Sequence, residues 1–167
     1  AEEVKKWGSC CNEKLFIWLY SAEFYDYMFY FNDLGALSGN YKFFNENGVY
    51  GIKDEAHIYN AHSPFAASKL YLRSKLAWDP SLDMHALYND FMDNYFKAAA
   101  PVMKEYYEQI RAHFVELSIQ LDSAGCYGFN KIGAYYMNPA YWGMDLLRRY
   151  QRLIDQAYDT IEQAGYD

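Results

Sequence analysis

"KLFIWLYSAEFYDYMFYF", residues 14–31, decides how the chain is read. It is aromatic enough to suggest a bilayer, yet Glu23 and Asp26 lie inside it. The charge-free run from Leu15 to Ala22 falls well short of the roughly 18 apolar residues a spanning helix needs, so the segment is not transmembrane. Its first part, "KLFIWLY" (Lys14–Tyr20), is a short apolar run rich in aromatic and β-branched residues, with acids only beyond it. That pattern predicts a buried strand of the parallel kind. The segment then starts as a strand and ends as an aromatic, acid-studded lip.

Working outward, "GNYKFFNEN" predicts a short helix that Ser38 can cap, with Gly48 where a helix C-terminus favours a left-handed residue. "VYGIK" (Val49–Lys53) predicts a second strand. Strand, helix, strand at this spacing is a βαβ crossover, which makes the strands parallel neighbours. The remainder reads as helical. "HSPFAASKLYLRSKLAW" offers Ser63 as cap and Pro64 at the first helical position, with Leu72 and Leu76 on one face and "DP" at Asp79 and Pro80 as the stop. "SLDMHALYNDFMDNYF" places Leu87, Phe91 and Phe96 along a stripe. From Ala98 a long amphipathic helix follows, with Pro101 tolerated in its first turn. "DSAGCYGFNKIGAYYMN" reads as a loop, and a last helix runs from Pro139 to Gly165.

A lone pair of parallel strands is an unfinished sheet: each strand has an unpaired edge, and one crossover helix cannot cover both apolar faces. The expected fold is therefore a helix-rich α/β architecture, with residues 1–62 as a βαβ portion and 63–167 as a helical subdomain packing on it. The remaining segment of a larger α/β fold, or a second copy of the chain, is the expected partner. The N-terminus lacks a signal-type apolar region and an initiating Met, as expected of a mature or excised fragment.

Composition narrows the function classes. Fifteen basic against twenty-two acidic residues give a net charge of −7 without a Lys/Arg cluster, which leaves no electrostatic footprint for nucleic acid or an anionic membrane. Cys10, Cys11 and Cys126 are odd in number and two are adjacent, which fits neither a disulfide framework nor zinc spacing. Aromatic residues make up 20% of the chain, and carboxylates beside aromatic faces are the ingredients of sugar recognition. Acids accept hydrogen bonds from hydroxyls, and rings stack on the C–H face of a pyranose.

In parallel α/β folds function gathers where strands end. Tyr20, Glu23, Tyr25, Asp26 and Tyr27 follow the first strand; Asp54, Glu55, His57, Tyr59 and His62 follow the second. The candidate substrate-binding set is Trp18, Tyr20, Glu23, Asp54, Glu55, His57 and Tyr59, with no catalytic residue assigned. Trp18, on a strand, fits the core better than a platform. Asp54 and Glu55 are adjacent, so they point in different directions and at most one enters a pocket. His57 and His62 lack a defined third ligand, and neither a metal nor a cofactor is expected. Glu105, Glu108 and Glu116 with Arg111 read as a solvated helix face carrying local ion pairs.

"NGVYGIKDEA" and "LYLRSKLAWDPSLDMHALYNDFMDNYFKAAAPVMKEYY" resemble the C-terminal half of the bacterial domain-of-unknown-function family 4838, found in large proteins that look like glycoside hydrolases. The likeness runs from about Phe16 to His113. It implies a (β/α) barrel whose last two strands are those above, followed by helices. A fainter similarity reaches the hexosaminidase-like barrels of glycoside hydrolase family 20. That similarity implies a sugar site lined by Trp18, with Glu55 as a hydroxyl-binding acid and the acid/base pair on an earlier strand. The chain departs from those barrels in carrying "KDEAH" after its second strand and "MFYFND" after its first. Carbohydrate, in the complete protein, is the implied partner. The alternative is a helical module that binds a protein or itself through its Tyr-rich surface.

Overall fold

A computed structural model describes residues 1–11, 14–21, 30, 32–55, 65–123 and 138–165, with the side chains of 121–123 excepted. The described residues form a helix-rich α/β structure with two parallel strands. In chain order the elements are α1 (Glu2–Cys10), β1 (Leu15–Tyr20), α2 (Leu34–Glu46), β2 (Val49–Glu55), α3 (Ala66–Trp78), α4 (Met84–Phe96), a 3-10 turn (Lys97–Ala99), α5 (Ala100–Ser123), a second 3-10 turn (Pro139–Tyr141) and α6 (Met144–Gln163). The chain divides into two compact units, Ala1–Tyr88 and Asn89–Asp167.

In the first unit β1 and β2 pair in parallel, as the crossover pattern requires, with Phe16 opposite Gly51, Trp18 opposite Lys53 and Tyr20 opposite Glu55. A register irregularity between Leu15 and Phe16 passes over Tyr50 and brings Gly51 under the Phe16 ring. A Cβ at Gly51 would meet that ring, so a larger residue there would have to push the exposed Phe16 side chain aside. Burial alternates along β1: Leu15, Ile17 and Leu19 are half-buried, whereas Phe16, Trp18 and Tyr20 are exposed. The expectation of a fully buried strand is corrected to one covered face and one open face. α2 packs on β2 and on α3, and among the described residues no second layer lies over the other side.

Helix α2 starts earlier than its expected cap. Asp33 is the N-cap, and Ser38 sits within the helix. Leu34, Leu37, Tyr41 and Phe44 form its buried stripe, and that apolar spacing extends the helix backward past Ser38. Gly48 takes a φ of 72°, as its place after the helix demands. Helix α1, which the sequence reading did not anticipate, brings Gly8 so close to the Asn47 carbonyl that a Cβ there would collide. Ser63 and Pro64 lie outside the described residues. The N-cap of α3 is Phe65, at a left-handed φ of 59°, and its carbonyl accepts from Ser68 Oγ at 2.8 Å and from the Lys69 N–H at 3.0 Å. Leu72 and Leu76 are buried as expected, and α3 stops at Trp78 before an extended Asp79.

In the second unit Ala99, Val102, Leu153 and Ala157 form a core flanked by Met103, Tyr106 and Ile161. It is built from one face each of α5 and α6 together with the 3-10 turn at Lys97–Ala99. The buried positions of α4 are Tyr88 and Met92, with Leu87, Phe91 and Phe96 only half-buried, so the expected stripe is rotated by one residue. Pro101 stands in the first turn of α5, where its missing N–H costs nothing. The last helix begins at Met144 instead of Pro139. Residues 139–141 form a 3-10 turn whose Ala140 N–H donates to Asn138 Oδ1 at 3.0 Å. Arg111 meets Glu108 at 2.9 Å on the solvated face expected for that helix. The loop expected around residues 124–137 lies outside the described residues.

Candidate functional site

The C-terminal ends of β1 and β2 present different chemistry on their two sides. On the open side Phe16, Trp18 and Tyr20 project from alternate positions of β1, with 65%, 55% and 54% of their surface exposed. The reading of Trp18 as core is thereby overturned: the strand position that usually buries a Trp here belongs to the uncovered face. Trp18 Nε1–H donates to Glu55 Oε2 at 2.7 Å. Lys53, directly across from Trp18 in the register, holds its Nζ 3.7 Å from the centroid of the Trp18 ring. Tyr20 lies alongside, 6.4 Å from Trp18 between centroids and tilted by 31°. Phe16 meets Tyr50 edge-on at 5.5 Å. Period-two alternation in a parallel pair puts 16, 18 and 20 on the same side as 51, 53 and 55.

On the covered side lies a buried cluster of charges that the sequence reading did not single out. Asp54, next to Glu55, points the opposite way. Its carboxylate accepts from Ser21 Oγ and pairs with Arg73 Nε at 3.1 Å. Arg73 also pairs with Asp33, which in turn meets Lys69 Nζ at 3.2 Å. Lys69 is only 2% exposed, and its ammonium stands 4.9 Å from the Tyr30 ring centroid. Two acids and two bases balance, which is the condition for burying charge at all.

Burial dominates the titration of this cluster. It draws Lys69 down to about 7, with the Asp54 charge pulling back upward. It lowers Arg73 to about 10, which leaves the guanidinium charged at neutral pH. Burial also raises Asp54, opposed by the Ser21 hydrogen bond and the Lys69 charge. Tyr41 is pushed up to about 12 by burial and by the Asp54 charge. The cluster fixes both strand ends. Ser21, one residue past β1, donates its N–H to the Glu55 carbonyl at 3.1 Å, and Asp54 anchors β2 to α3 through Arg73.

Of the expected site residues, Trp18, Tyr20 and Glu55 come together on the open side, and Asp54 is committed to the buried cluster. Glu23, His57 and Tyr59 lie outside the described residues, as does His62. Lys53 was missed because an exposed strand lysine carries no signal of its own; only the register shows that it faces Trp18. Lys69 and Arg73 did carry a signal. They stand on the same helical stripe as Leu72 and Leu76, where a charge survives only if it is paired. Among the described residues no group of three or more His, Cys, Asp and Glu could hold a metal ion, and no helix is long and apolar enough to cross a membrane.

The open face can stack a flat apolar surface and accept hydrogen bonds from hydroxyls. Among the described residues it carries one carboxylate, Glu55, whereas a glycosidase pair needs two facing the bond about 5 to 9.5 Å apart. The family model for the Domain of unknown function (DUF4838) matches residues 1–108, a stretch that contains both strands and both halves of this arrangement. The chain belongs to that family. No curated protein and no solved structure matches it. The family match therefore covers α1 through the first turns of α5, and α6 lies beyond it.

Proposed function

We propose that the chain contributes one wall of a saccharide-binding site, as the last two strands of a (β/α) barrel in a carbohydrate-active protein of the glycoside hydrolase kind. On this reading residues 1–62 are the barrel portion and 63–167 a helical subdomain. The observation that carries the proposal is the Trp18–Glu55 hydrogen bond of 2.7 Å at the C-terminal ends of two parallel strands, on the face no described element covers. In a (β/α) barrel each strand turns one face to helices and the other inward, and ligands meet the C-terminal ends. The half-buried Leu15, Ile17 and Leu19 suit the helix side, and Phe16, Trp18 and Tyr20 suit the inner side. Trp18 and Tyr20 stack the sugar ring and Glu55 accepts from a hydroxyl, with Glu23, His57 and Tyr59 as further contacts. Asp54 acts through the strand it anchors.

The acid/base pair is not in this set, so the chain alone has no glycosidase activity. Measurable turnover of an aryl glycoside that Glu55→Gln abolishes would refute this. In a protein that also carries the preceding strands, Glu55→Gln removes a hydroxyl contact worth about 1–3 kcal/mol, seen as a higher KM or a lower kcat. Binding is tested by titrating oligosaccharides into the chain while following Trp fluorescence. Saturable change that Trp18→Ala removes is the expected result.

A second reading, a helical module that binds a protein or a second copy, is favoured by a different observation. Trp78 is 92% exposed in the first unit and Tyr158 73% in the second, so large aromatic side chains on helices face solvent. Concentration-dependent association with no response to sugars would support that reading over the first.

A further inference from the structure

Lys53 is a cation on the open face, and among the described residues no carboxylate lies within ion-pair distance of its Nζ. Glu55, two residues along the same strand and on the same side, is already engaged by the Trp18 indole through Oε2. The ammonium rests instead on the Trp18 ring, 3.7 Å from its centroid. A cation held only by an exposed ring is held weakly, by about 0.5–1 kcal/mol, whereas a charge-assisted bond to a carboxylate is stronger. An incoming anion can therefore lift Lys53 off the ring and in doing so free the ring for stacking.

Resting on the sugar-wall reading above, we infer that the saccharide bound here is acidic, a hexuronic acid unit whose carboxylate pairs with Lys53. Residues 53 and 55 stand about 6.6 Å apart along the strand. That separation matches one pyranose lying over Trp18, with its carboxylate toward Lys53 and a hydroxyl toward Glu55. The Glu55 charge enforces the polarity, since it repels the ligand carboxylate from its own end and attracts a hydroxyl donor. Lys53 is thus a specificity-determining residue: it selects acidic over neutral sugars, while Trp18 and Glu55 recognise features both share.

The test is isothermal titration of the chain at low ionic strength with an oligogalacturonate and with a neutral galacto-oligosaccharide of the same length. Parallel titrations use Lys53→Met and Lys53→Arg. The expected result is binding of the acidic oligomer about tenfold or more tighter than the neutral one, weakened by salt. Lys53→Met should bring acidic binding down to the neutral level, and Lys53→Arg should restore most of the preference. Lys53 is exposed, so these variants keep the fold, which circular dichroism checks. Equal binding of both oligomers, or a preference that survives Lys53→Met, overturns the charge selection and leaves the saccharide reading standing. Absence of binding by either oligomer overturns both.

Discussion

Asp54 and Glu55 are consecutive residues of one strand, yet one is locked into a buried charge cluster and the other reaches an exposed indole. The two faces of the sheet divide the work. On the covered face Ser21, Asp33, Asp54, Lys69 and Arg73 tie the ends of both strands to α2 and α3, so that side specifies geometry. On the open face Phe16, Trp18, Tyr20 and Lys53 keep much of their surface exposed around the Trp18–Glu55 hydrogen bond, so that side is available for a ligand. Buried charges that are ion-paired are costly to disturb singly, and exposed aromatic residues are not.

Arg73→Leu should give the largest loss, because it leaves Asp54 and Asp33 short of their shared counter-charge beneath the strand ends. A destabilisation of about 3–5 kcal/mol by urea unfolding is expected. A change under 1 kcal/mol would mean that the cluster does not hold the covered face together. Leu76→Ala, an apolar truncation at a fully buried position of the same helix, should cost about 3 kcal/mol through the lost burial and the cavity left behind. It separates packing from charge on that side.

A smaller signal comes from pH. Lys69 lies near 7 in the fold against 10.5 unfolded, so from pH 7 upward the unfolded chain binds a proton that the folded one has released, and stability rises with pH. Above pH 10 the sign reverses, because two buried tyrosines outweigh Arg73, which burial holds at about 10 and which alone would prolong the rise. Tyr41 and Tyr150, both raised to about 12 in the fold, keep protons that the unfolded chain loses, and stability falls. Urea midpoints at pH 7, 9 and 11 should therefore rise and then drop, and Lys69→Met should flatten the rise. Trp18→Ala and Glu55→Gln should move stability least, within about 1 kcal/mol, although both should weaken saccharide binding. A large stability loss from either would make the open face structural.

The crossover was legible because "KLFIWLY" and "VYGIK" are short apolar runs separated by a helical stretch that ends at Gly48, and their parallel pairing follows from the connection length. Which face of each strand is covered was not legible. An alternating exposure along β1 was masked in sequence, since Phe16, Trp18 and Tyr20 each carry a large apolar ring and the run with Ile17 and Leu19 reads as continuously apolar. Adjacency alone showed that Asp54 and Glu55 diverge; only the packing of α3 decided which one faces inward to Arg73. The charge cluster joins residues far apart in the chain, from Ser21 to Arg73. Its trace in the sequence was the pair of cations on the Leu72–Leu76 stripe. Helix α1 escaped notice because its nine residues offer no buried apolar face.

The central claim is that the uncovered face built on Trp18 and Glu55 receives a saccharide. The most direct measurement is the NMR signal of the Trp18 indole N–H, assigned through Trp18→Phe, during titration with acidic and neutral oligosaccharides. Saturable movement of that signal, shifted to higher ligand concentration by Glu55→Gln, is the result the account predicts. An indole signal that stays still under both titrations, while shifting with protein concentration alone, would contradict it and give the face to self-association.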